Sequence, residues 1–118
     1  IRSLGLLDGG YSNDYRLDEP MGKWRLQNMI NNSLKKTGSD FALVEDITDP
    51  VTNGNMIAVA ARLADVEADS YTGQLSGLQE KGIVTEEILN HMGTEHEAPM
   101  AAEAIMIVAN LYNYYLAQ

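Results

Sequence analysis

At 118 residues, 45% of them apolar and 21% charged, the chain has the length of one domain and a globular composition, which excludes wholesale disorder. Eight Lys and Arg stand against seventeen Asp and Glu, a net charge of −9, so nucleic-acid backbones and anionic membrane surfaces are poor partners. The absence of Cys removes disulfides, thiolate zinc sites and cysteine nucleophiles.

The chain opens at Ile1 and reads as a single helical domain, 1–118, cut or processed from something longer. Ile1 to Gly10 holds one Arg and a short apolar patch before Asp8-Gly9-Gly10, which is not the pattern of a signal peptide. Turn residues continue through Ser12-Asn13-Asp14 to Asp18-Glu19-Pro20. Asp18 is a suitable N-cap, so a first helix is predicted from there to about Thr37. Its apolar side is Met21, Trp24, Ile30 and Leu34, widened by Leu26 and Met29. Trp24, the single Trp, is expected to be buried as the anchor of this helix. Its replacement by Ala would then cost about 3–5 kcal/mol. Lys35 and Lys36 suit the negative end of the helix dipole, and Gly38 suits the position just past the end.

Ser39 is read as the cap of a short helix, Asp40 to Ile47, stopped by Thr48-Asp49-Pro50. Thr52-Asn53-Gly54-Asn55 is the next cap region. From Asn55 to about Glu80 the apolar positions Met56, Val59, Leu63 and Val66 keep helical spacing, and Tyr71, Leu75 and Leu78 resume it after a shift. One long helix is expected, bent at Gly73 and Gly77 or closely approached there. Lys81-Gly82 ends it. Thr85 caps a short helix through Met92, closed by Gly93, and a last helix begins near Pro99. No segment reads as a strand. The expected fold is all-α: an irregular orthogonal bundle of five or six helices with a buried C-terminal helix.

Two features point toward function. Residues 1–38 hold six basic and four acidic residues, net +2, while residues 39–118 hold two basic and thirteen acidic, net −11. Opposite charges this divided pack against each other within the chain, meet head to tail between copies, or bind an outside basic partner. The last helix carries only Glu103, Asn110 and Asn113 as polar residues, and a helix apolar on nearly every side must be buried. Those polar groups also argue against a membrane span. It is either the central helix of the bundle or covered by another subunit, with Tyr112, Tyr114 and Tyr115 supplying amphipathic rings at its end.

Groupings with chemical potential are weak. His91, Glu95, His96 and Glu97 lie close in sequence, but the two His are five apart and straddle Gly93, so a loop is expected and no metal. Asp46, Asp49, Asn53 and Asn55, like Asp8, Ser12, Asn13 and Asp14, lack calcium-loop spacing. Glu45, Asp46 and Asp49, or Asp65, Glu67 and Asp69, supply carboxylates; Asp65 and Asp69 would share a helix face. Phosphate-loop and nucleophile-elbow patterns are missing. No cofactor is expected.

The sequence therefore reads as a non-enzymatic structural or assembly subunit working through helix-mediated protein contacts, as in a secretion or pilus apparatus or a virion. Arg25, Lys35, Lys36, Ile105, Tyr112 and Tyr115 are the candidate contact residues. The partner is protein, by self-association or in a larger assembly; nucleic acid is not expected, and membrane contact only through regions outside this segment. An acidic adaptor for a basic partner protein is the second reading, and a small carboxylate-dependent hydrolase the third.

Overall fold

The computed structural model describes residues 20–41 and 43–117; Asp8 to Asp14 and the Asp18 cap lie outside them. The described residues form five helices and no strand: α1 (Lys23–Lys35), α2 (Asn53–Leu63), α3 (Tyr71–Glu80), α4 (Glu86–His91) and α5 (Ala101–Leu116). A single antiparallel bridge joins Pro20 to Met100, with the Met21 amide donating to Pro99 O at 2.8 Å. This tie sets the start of α1 beside the start of α5. The chain is compact, with a radius of gyration of 13.0 Å.

Packing, not capping, holds α1. Its N-cap is Gly22, which offers no side-chain acceptor, whereas Leu26, Met29, Ile30 and Leu34 are all buried, chiefly where α1 meets α5. Full burial of one such side chain is worth about 1.5–3 kcal/mol, more than a cap contributes. Gly38 adopts φ +74° and closes the turn after the helix, as the sequence indicates.

Trp24 is not on that buried face. It is 63% exposed, the reverse of the expectation. Six residues separate Trp24 from Ile30, which at 3.6 residues per turn rotates it about 120° from the apolar stripe. The stripe is Leu26, Ile30 and Leu34 with Met29, and Met21 reaches the core from just before the helix.

The short helix expected over Asp40–Ile47 does not form. Its backbone groups bond to two asparagines instead. Asn31 of α1 accepts from Val44 N at 2.8 Å and donates to Val44 O at 3.0 Å. Asn55 of α2 accepts from Thr48 N at 2.9 Å and donates to Asp46 O at 3.1 Å. The segment thus runs as an irregular strap tied to α1 at one end and to α2 at the other. Val44 and Ile47 sink into the core along it.

The long helix expected over Asn55–Glu80 is two helices. Asp65 takes a left-handed φ of 59°, and Val66 N reaches back to Ala61 O at 2.8 Å while Asp65 N reaches Arg62 O at 3.2 Å, ending α2. Ser70 Oγ then accepts from Gly73 N at 3.0 Å and starts α3. Gly73 and Gly77 both lie within the continuous α3. A Cβ on Gly77 would collide with Val66 Cγ1, so Gly77 lets α3 lie close to the returning chain. Gly82 (φ +76°) and Thr85, whose Oγ1 accepts from Ile88 N, end α3 and start α4 where the sequence places them.

Candidate interaction surface

The exposed side of α1 is basic and aromatic. The helix contains Lys23, Arg25 and Lys35 and no acidic residue, and Lys36 follows it directly. Lys23 Nζ lies 4.9 Å from the centroid of the Trp24 ring, so the exposed indole carries a positive charge over its face. Of the sequence candidates, Arg25, Lys35 and Lys36 are all exposed, and Arg25 and Lys36 are already engaged by other groups.

The candidates on α5 are placed differently. Ile105 is 2% exposed and packs in the core of its own chain. Tyr115 is buried and donates its hydroxyl to Leu63 O at 2.7 Å. Burial raises its pKa above the ordinary 10.0, helped by the negative charge of Asp65 and by Tyr114, while Arg62 opposes the shift. Tyr112 is half-buried. Of the three polar residues, Glu103 is buried, Asn110 donates to Ile83 O at 2.9 Å and only Asn113 is exposed. Neither Ile105 nor Tyr115 has surface to spare for a partner.

Against the basic helix stands an acidic cleft. It is an open depression of about 630 Å³ between α2, the 64–70 connection and α3, lined by Ala58, Ala61, Ala68 and Val66 with Arg62, Glu67, Asp69 and Gln74. Glu67 and Asp69 are exposed there. Arg62 is bonded to Asp46 Oδ1 at 3.1 Å, which offsets its charge. A smaller hollow of about 280 Å³ lies beside Tyr115, with Asp40 and Asp65 among its lining residues.

The chemical groupings considered from the sequence do not converge. Asp65 and Asp69 share no helix face, because Asp65 terminates α2 and Asp69 precedes α3. His91 and His96 are exposed, and among the described residues no three His, Asp or Glu side chains gather closely enough to hold a metal ion. In the Asp46–Asn55 loop both asparagines are structural: Asn55 ties the strap, and Asn53, 1% exposed, donates to Thr94 O at 2.8 Å. The first amides of α2 are equally committed. Asn53 N donates to Glu97 O and Gly54 N to Glu95 O, both at 2.8 Å, so this helix start has no free donors for an anion. No helix among the described residues is long and apolar enough to cross a membrane.

The informative residue that sequence reasoning misplaced is Trp24. The signal was present: α1 has no acidic residue anywhere, and the indole falls between two cations, Lys23 and Arg25. Comparison of the chain with protein-family models, with curated proteins and with solved structures found no match.

Proposed function

We propose that the protein is a non-enzymatic assembly subunit that makes protein–protein contacts through the outer face of α1. In this reading the five helices form an irregular orthogonal bundle around a buried C-terminal helix, and α5 serves the core while α1 serves the partner. The observation that carries it is the exposure of Trp24 beside Lys23 on a helix without acidic residues. Trp is the residue type most enriched among those whose truncation disrupts interfaces, and a monomer gains little by leaving its one indole in water. An acidic adaptor is the second reading, favoured by Glu67 and Asp69 at the α2–α3 cleft, and a carboxylate hydrolase using the same two side chains is the third.

The test is the size of the chain in extracts of the cells that make it. Native fractionation should place it in a complex larger than one chain, and Trp24→Ala should release it as a folded single chain. Migration of the wild-type protein as a lone chain would refute the reading.

A further inference from the structure

Resting on the assignment of α1 as a contact face, we propose that the cleft between α2 and α3 is the seat of Trp24 and the adjacent Lys23 from a second copy of this chain, in a head-to-tail contact. Three observations lead to it. The cleft is an open depression of about 630 Å³ with a largely polar lining, in which Ala58, Ala61, Ala68 and Val66 leave a small apolar floor for the edge of an indole. Glu67 and Asp69 stand there exposed, where Lys23 beside a seated indole would meet them, while Arg62 is paired with Asp46. The two surfaces also belong to different parts of the molecule: α1 packs on α5, and the cleft is built by α2, α3 and the chain between them.

The charge pattern opposes α1 set against α1, which would bring lysine to lysine. A contact between the two different surfaces joins opposite charges. Where two copies share one such contact, one basic face and one cleft stay unfilled and growth continues to a ring or a filament; where they exchange both contacts about a two-fold axis, growth stops at two chains. The head-to-tail form proposed here is the first, and a wild type that stops at two chains would overturn it. One chain carrying both complementary surfaces makes a second copy the simplest occupant, ahead of an unrelated basic protein.

Sedimentation velocity of the purified full chain tests this directly. The average mass should rise with protein concentration and fall back as salt is raised, because exposed charge pairs are screened. Trp24→Ala, and separately Glu67→Lys with Asp69→Asn, should each weaken association by about tenfold or more. Glu67→Gln with Asp69→Asn serves if the reversed charge disturbs folding, which circular dichroism monitors. Mixing the Trp24 variant with the cleft variant should restore a pair that stops at two chains, since one intact face and one intact cleft remain between them. A wild type that stays monomeric at every concentration overturns the head-to-tail contact. So does a folded cleft variant that associates like the wild type, or a mixture that does not pair. A purified monomer together with a Trp24-dependent complex in cell extract would sink this inference and leave the assembly reading standing. A lone chain in extract would remove both.

Discussion

Among the described residues Trp24 draws little from its own chain, because 63% of it faces solvent and its clearest neighbour is the adjacent Lys23. Trp24→Ala should therefore change stability by no more than about 0.5 kcal/mol, the usual scale for surface substitutions. A denaturation midpoint that drops as it does for a buried aromatic would contradict this placement. Tyr115 is the opposite case. Its hydroxyl bond to Leu63 O links the end of α5 to the end of α2, and Tyr115→Phe should cost about 1 kcal/mol. Because the folded pKa of Tyr115 lies above 10.0, the stability it contributes is fully present below that pH and is lost as pH climbs through the raised value. Tyr71, raised first by burial and then by Glu95, behaves alike. An alkaline unfolding titration should thus show a smaller loss in Tyr115→Phe than in wild type. Identical alkaline profiles would remove Tyr115 from the account.

At the scale of elements, the connections made by neighbouring residues were legible in the sequence. Thr52, Ser70 and Thr85 each accept a backbone amide within three residues, and Gly38 and Gly82 take the positive φ that ends a helix. Of these, Ser70 was overlooked because Tyr71, Leu75 and Leu78 resume helical spacing and mask the break at Asp65. The strap over Asp40–Ile47 was illegible for a different reason. Its conformation depends on Asn31, thirteen residues from the groups it binds, and on Asn55, seven and nine residues from its partners, and nothing local announces such bonds. The same distance argument covers the candidate surface: Lys35 and Lys36 announced a basic α1, but which α5 residues turn inward is settled by tertiary packing. Asn31→Ala strips both partners from Val44, which is itself buried, and should cost about 2 kcal/mol. The denaturant midpoint should fall while α1 keeps its helix content, and limited proteolysis should open first between residues 39 and 47. An unchanged midpoint would mean that the asparagine does not hold the strap.

For the molecule as a whole, the divided charge of the sequence resolves into a basic helix on one part of the surface and an acidic cleft on another. Packing between them runs through α5, whose Ile105, Ile107 and Leu111 are buried against neighbours of the same chain. That placement separates two kinds of assembly, one through charged and aromatic surface on α1 and one through the end of α5 at half-buried Tyr112 and exposed Leu116. The most direct measurement is oxidative footprinting read by mass spectrometry, comparing the dilute free chain with the proposed assembly. Strong oxidation of Trp24 in the free chain, and its protection in the assembly with Leu116 still reactive, is the result predicted here. Equal oxidation of Trp24 in both states, or protection confined to Tyr112 and Leu116, would contradict the assignment of α1 as the contact face.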